Sequence, residues 1–306
     1  MEFLLIAVGL LPLVGGGEIL VRGAVTLAKS LNLSPMVIGL TVVGFGTSLP
    51  ELLTSVTAAL AGSPGVAIGN VVGSNIANIL LILGVAALIS PIAVDRSGFR
   101  RDNTVLILAT AAAIAILLLG DVGRFAGAAL VLGLVLYLGY VLRFADAPDP
   151  RDEIEEDVRP GWQSALFIAG GLIATILGAK ALVTGAVEIA ARAGLSEAVI
   201  GLTLVAVGTS LPELVTSIIA ARKKMSDVAL GNIVGSNIFN ILGILGVTAI
   251  IAPVPVPAEM VVRDSLVLGI ATVLMVVICR TGWKITRTEG AVFLALYLGY
   301  IWLLWP

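Results

Sequence analysis

The chain has 306 residues, 58% of them hydrophobic and 12% charged, with a formal net charge of −2 and a mean hydropathy of +1.10. Soluble domains carry about 25% charged residues, so this charge cannot cover a water-soluble body, and the apolar content excludes disorder. Cys279 is the only cysteine and histidine is absent, which excludes a disulfide scaffold and removes the commonest general base and zinc or copper ligand. With no basic surplus there is nothing to hold nucleic acid; an integral membrane protein remains.

A membrane-crossing helix needs about 20 apolar residues. Taken in chain order, the apolar runs predict ten spans, roughly 2–28, 35–61, 64–89, 102–119, 125–142, 162–190, 197–221, 226–251, 264–280 and 288–305. The opening segment, MEFLLIAVGLLPLVGGGEIL, lacks a basic n-region and a small-residue cleavage pattern, so it reads as a span and not as a signal peptide. With the N-terminus outside, thirteen of the eighteen Lys and Arg residues fall on the cytoplasmic side, while Arg124, Arg192 and Arg263 fall outside. That bias predicts a multi-pass cell-membrane protein with both termini extracellular. Its short loops suit a prokaryotic inner membrane.

Residues 37–84 and 199–246 align without a gap at an offset of 162, with about two-thirds of the positions identical. Weaker echoes are Arg101-Asp102 with Arg263-Asp264, and YLGY at 137–140 with YLGY at 297–300. The predicted organisation is therefore a five-helix repeat over 1–143, a linker over 144–160 and a second repeat over 161–306. An odd number of spans inserts the second copy upside down, an arrangement that places a transport site at the repeat interface. The fold class is all-α, polytopic, with helices broken at the midplane. The stretch ADAPDPRDEIEEDVRP at 145–160 holds seven of the twenty acids and three prolines. It reads as a solvated cytoplasmic linker, with a regulatory cation site the lesser alternative.

Each strong block carries one acid deep in an apolar span, Glu51 and Glu213, both in GTSLPEL. A lone carboxylate at that depth is costly and must face the bundle interior with a cation or proton. No Lys, Arg or His lies beside either, and two neighbouring carboxylates stay ionised only with cations between them. Thr47 and Ser48 precede Glu51 by four and three residues, on one helix face; Thr209 and Ser210 repeat this before Glu213. Pro50 and Pro212 cannot donate to the carbonyls of Gly46 and Gly208. The helices should break there and free carbonyls over Gly44 to Thr47 and Ala206 to Thr209. In the next span Ser74 with Asn78, and Ser236 with Asn240, are spaced i, i+4. Carboxylate, carbonyl, hydroxyl and amide oxygens suit hard cations such as Ca²⁺ and Na⁺, with Mg²⁺ disfavoured by its reluctance to dehydrate. Blander readings stand beside these. Single hydroxyls often bond only their own helix, Asn70, Asn75, Asn232 and Asn237 can act as helix glue, and Gly69 with Gly73 and Gly231 with Gly235 read as close-packing pairs. Glu18, Lys180 and Glu188 read as snorkelling residues near span ends.

GTSLPE followed by GNVVGSNIANILLILG, repeated as GTSLPE and GNIVGSNIFNILGILG, resembles the α-repeats of the cation/Ca²⁺ exchanger superfamily, most closely prokaryotic Na⁺/Ca²⁺ exchangers. The resemblance implies a secondary antiporter working by alternating access, not an enzyme, with Ca²⁺ and Na⁺ as transported ions, the bilayer as its setting, and no cofactor or obligate protein partner. It implies Glu51 and Glu213 as central ligands with oxygens of Thr47 and Thr209. Carbonyls of Gly44 and Ala206, with Ser48, Ser74, Ser210 and Ser236, would surround flanking Na⁺ sites, and Asn78 and Asn240 would face the centre. K⁺-dependent branches carry Asp where this chain has Asn240, which disfavours a K⁺ requirement, and the H⁺/Ca²⁺ branch lacks the doubled GTSLPE. A membrane lipid phosphatase, the alternative from another class, needs Arg or His beside its acids.

Overall fold

The computed structural model describes residues 2–144, 160–192 and 206–304. Almost the whole of the acidic linker, and the first part of the span predicted at 197–221, lie outside the described residues. In chain order the helices are α1 Glu2–Ser30, α2 Pro35–Thr47, α3 Leu49–Leu60, α4 Pro64–Ile89, α5 Arg96–Leu118, α6 Arg124–Arg143, α7 Gly161–Arg192, α8 Ala206–Thr209, α9 Leu211–Arg222, α10 Ser226–Ile251, α11 Ala258–Gly282 and α12 Arg287–Leu304. Among the described residues four two-residue strands, β1 Ile92–Ala93, β2 Asp121–Val122, β3 Val254–Pro255 and β4 Lys284–Ile285, pair antiparallel as β1 with β4 and β2 with β3.

Among the described residues seven helices are long and apolar enough to cross a membrane, or eight if the bent pair α2–α3 is one span. This is fewer than the ten predicted spans. The first turn of α12 carries Arg287 and Glu289, and α9 has only 12 residues, with 193–205 before α8 outside the described residues. Two helices start earlier than the apolar runs do: α5 at Arg96 instead of 102, and α11 at Ala258 instead of 264. At α5 a cap supports the charged first turn, whereas α11 starts after Pro257 without a side-chain cap. Asp95 Oδ2 accepts from the Gly98 N–H at 2.7 Å, as a capping carboxylate should. Ser34 caps α2 in the same manner, with Pro35 in its first turn.

The centre of the molecule is α4 and α10, in which 72% and 89% of the apolar window is buried, against 28% for α6 and α7. Helices apolar on every side belong in such a position. The inner pair is tied to its neighbours by close backbone crossings. A Cβ on Gly231 would lie 2.6 Å from the Met36 carbonyl, and one on Gly235 would collide with the Leu40 carbonyl. Gly231 and Gly235 are therefore the close-packing pair expected of them, and the surface they admit is α2.

Among the described residues three stretches widen into π-helical turns, Gly39–Val43, Ala77–Ile82 and Phe239–Leu245. Nothing in the residue pattern predicts them, and such turns are frequent at functional sites.

Candidate ion-binding site

The break expected at Pro50 falls at Ser48, where φ is −85° and ψ 7°, and α2 and α3 meet at a bend of 42°. Ser210, ahead of Pro212, has nearly the same backbone, −89° and 9°. The break is milder than full unwinding. The Ser48 N–H still reaches the Gly44 carbonyl at 3.3 Å, and Ser236 Oγ donates to that same carbonyl at 3.2 Å. The Gly44 carbonyl is thus engaged by protein donors, contrary to the expectation that the break frees it. Pro50 instead leaves the Gly46 carbonyl without its i+4 donor.

Each break presents a serine hydroxyl to the carboxylate of the other half. Ser48 Oγ donates to Glu213 Oε1 at 2.9 Å, and Ser210 Oγ donates to Glu51 Oε1 at 2.9 Å. Ser210 Oγ also lies 3.4 Å from Ser74 Oγ. Both glutamates are 1% exposed, and in each the second oxygen, Oε2, has no hydrogen-bond partner. Among the described residues no lysine or arginine pairs with either one. A buried carboxylate with a vacant oxygen and no cationic side chain is complete only with a cation or a proton.

Two asparagines clamp the helices that carry these acids. Asn70 Nδ2 donates to the Glu51 carbonyl at 2.9 Å and to Ser55 Oγ at 2.8 Å; Asn232 Nδ2 donates to the Glu213 carbonyl at 3.3 Å and to Ser217 Oγ at 2.9 Å. Their other ends face across the molecule. Thr47 Oγ1 is 3.3 Å from Asn232 Oδ1, and Thr209 Oγ1 is 3.5 Å from Asn70 Oδ1. Thr47 Oγ1 is closer still, 3.0 Å, to its own helix carbonyl at Val43. Asn75 and Asn237 bond one turn back within their own helices, to Val71 and Ile233, both at 2.7 Å, and so do not join helices as the residue pattern suggests. Ser55 and Ser217 escape the residue-pattern reading. The signal available for them is that both sit at the common offset of 162.

Asn78 and Asn240 differ from the other amides around the two glutamates. Both are buried, and neither Nδ2 nor Oδ1 of either has a partner, a property they share with Asn103 in α5. They lie in the π-helical turns of α4 and α10, and those turns pack on α9 and α3 respectively, the helices bearing Glu213 and Glu51. Unpaired buried amides are costly, and these two stand beside the helices that carry the buried carboxylates. Of Ala206 the helical backbone alone is described. No group of three His, Cys, Asp or Glu occurs among the described residues; the donors are mainly neutral oxygens around two charges. Glu18 lies apart, bound to Lys223 at 2.6 Å and Arg22 at 3.1 Å, and Lys180 and Glu188 are exposed.

Comparison with known proteins bears on the family and the fold. The family described as sodium/calcium exchanger protein matches residues 1–143 and 163–305. The sodium/calcium exchanger MaX1 of Methanosarcina acetivorans is 32% identical over 343 residues, covering 98% of this chain and 97% of its own. The inner membrane protein YrbG of Escherichia coli is 36% identical, covering 94% and 90%. The solved structure of the sodium-calcium exchanger NCX_Mj, soaked with Na⁺ in the absence of Ca²⁺, superposes with a TM-score of 0.86 at 36% identity, over 98% of this chain and 97% of that one. Both halves of the sequence, and the fold that joins them, are thus shared along essentially the whole length, and the chain belongs to the sodium/calcium exchanger family.

Proposed function

We propose that this protein is a secondary antiporter that exchanges Na⁺ for Ca²⁺ across a prokaryotic membrane, at one site between its halves. The observation that carries the proposal is the crossed pair of buried glutamates, each with a vacant oxygen, set among unpartnered amides and serine hydroxyls. One Ca²⁺ neutralises Glu51 and Glu213, and so do two Na⁺; the two ions therefore compete for overlapping positions. In this reading Ser48, Ser210, Ser74, Ser236, Thr47 and Thr209 supply hydroxyl oxygens, Asn78 and Asn240 amide oxygens, and the backbone at Ala206 a flanking carbonyl, while the Gly44 carbonyl joins an ion only by giving up its Ser236 donor. No resident cofactor is required, since the ions are the substrates.

The same reading takes residues 1–143 and 161–306 as two five-span repeats of opposite orientation, joined by the acidic linker 144–160 and with both termini outside. The reciprocity of the Ser–Glu and Asn–Thr contacts supports it, as does the Lys/Arg distribution. Alternating access then exposes the single site to one side at a time.

Uptake of radioactive Ca²⁺ into vesicles preloaded with Na⁺, K⁺ or buffered protons tests the proposal. Uptake is expected to follow the outward Na⁺ gradient and to be lost in Glu51→Gln and Glu213→Gln. Uptake indifferent to Na⁺, or unimpaired variants, overturns it, and uptake driven by the proton-loaded vesicles alone assigns H⁺ coupling instead.

A further inference from the structure

Away from the central site, α5 and α11 run side by side in opposite directions. The strand pairs require this: β1, just before α5, pairs with β4 just after α11, and β2 after α5 pairs with β3 before α11. Between the two helices lies a cavity of about 650 Å³, lined by Ile114 and Leu118 of α5 and by Leu266, Ile270, Val273 and Val277 of α11. Five of these six are exposed, so the cavity is a groove open to the side. Gly269 keeps it open, because a Cβ there would stand 3.2 Å from Ile114 Cδ1.

Both walls lead to a cation. At helical spacing, the stripe of Leu266, Ile270, Val273 and Val277 continues to Arg280, and that of Leu118, Ile114, Ala111 and Ile107 runs back to Arg100. Since the helices are antiparallel, Arg100 and Arg280 reach the same end of the groove. There the guanidinium carbons of Arg96 and Arg100 lie 5.2 and 5.5 Å from the ring centre of Trp283, an arrangement suited to the membrane–water interface. Lys284 adjoins them, exposed. The acids at this end are already engaged: Asp95 caps α5, Asp102 is buried against Arg101 and Tyr137, and Glu289 accepts from Thr286.

We propose that the α5–α11 groove binds one anionic phospholipid, with an acyl chain along the groove and its phosphate between Arg100 and Arg280 beside Trp283. Any apolar flank is covered by lipid, but a cation pair at the mouth of a groove selects for charge; basic pockets between membrane helices bind anionic headgroups in this manner.

The test is native mass spectrometry of the intact protein exchanged into equal amounts of phosphatidylglycerol and phosphatidylcholine with identical acyl chains. One phosphatidylglycerol is expected to be retained in preference, by roughly tenfold or more for two arginines. The double variant Arg100→Gln/Arg280→Gln, at exposed positions, is expected to bring the two lipids to near parity. Ile270→Trp, which fills the groove, should lower retention of both. Equal retention by the unaltered protein overturns the proposal. A preference undiminished in the double variant overturns it as well, and retention unchanged by Ile270→Trp removes the acyl chain from the groove.

Discussion

Glu51 and Glu213 each hold one oxygen in a hydrogen bond from the opposite half and keep the other vacant, so the serines fix where the charge sits. A hydrogen bond to a charged group contributes about 1.5–3 kcal/mol. Ser48→Ala and Ser210→Ala are each expected to weaken half-saturation by Ca²⁺ roughly tenfold, the factor that about 1.4 kcal/mol corresponds to, with similar losses from the two sites. Concentration-dependent Ca²⁺ uptake measures this; a large effect at one serine and none at the other would contradict the crossed geometry. The acids themselves are legible in the sequence because a charge in an apolar span is conspicuous and must have a reason. Asn70 and Asn232 are legible only in part. Their type and depth mark them as helix glue, which their bonds to the Glu51 and Glu213 carbonyls bear out. Their approach to Thr209 and Thr47 depends on how the halves meet, and local spacing contains no trace of that. Asn70→Ala deletes two bonds at once and is expected to cost about 1–3 kcal/mol, read as a lower thermal midpoint.

At the scale of elements, the glycines separate packing from mere composition. Gly235→Ala would drive a methyl into the Leu40 carbonyl, forcing α2 from α10. Its expected cost is about 1–3 kcal/mol for overpacking, with loss of transport because α2 leads into the break at Ser48. Gly139, in α6, has nothing within 4 Å of its Cβ position among the described residues. Gly139→Ala is expected to be neutral or to add up to about 1 kcal/mol through helix propensity. Thermal unfolding of the two variants distinguishes these outcomes. The π-helical turns that carry Asn78 and Asn240 explain why the spans are easier to read than their interiors. A turn closed by i→i+5 bonds has the same composition as one closed by i→i+4, so the residue pattern cannot tell them apart. The YLGY echo shows the same limit: Tyr137, first in its motif, bonds Asp102 at 3.0 Å, whereas Tyr300, last in its motif, bonds Asp264 at 3.3 Å. The repeated letters lead to the repeated contact but not to the residue that makes it. Tyr137→Phe and Tyr300→Phe are each expected to lose about 1 kcal/mol of stability, while Tyr140→Phe, on an exposed side chain, is expected to lose none.

For the whole molecule, ligand linkage supplies a test independent of flux. An ion that binds the folded state alone stabilises it by about 2.7 kcal/mol at a hundred times its dissociation constant. Ca²⁺ is therefore expected to raise the thermal midpoint of the detergent-solubilised protein, and Glu51→Gln/Glu213→Gln to abolish that rise. The two strand pairs have a further consequence, in time. Ile92 pairs with Ile285 and Val122 with Val254, so the first half cannot finish its own edges until the second has been made. Ribosomes add about 5–20 residues per second, and the separation of Ile92 from Ile285 amounts to a wait of roughly ten to forty seconds. Throughout that interval the nascent first half waits with β1 unpaired, and for the earlier part of it Glu51 is also without Ser210. Biogenesis therefore contains a stage at which the first half has been made while the strands that complete its edges have not.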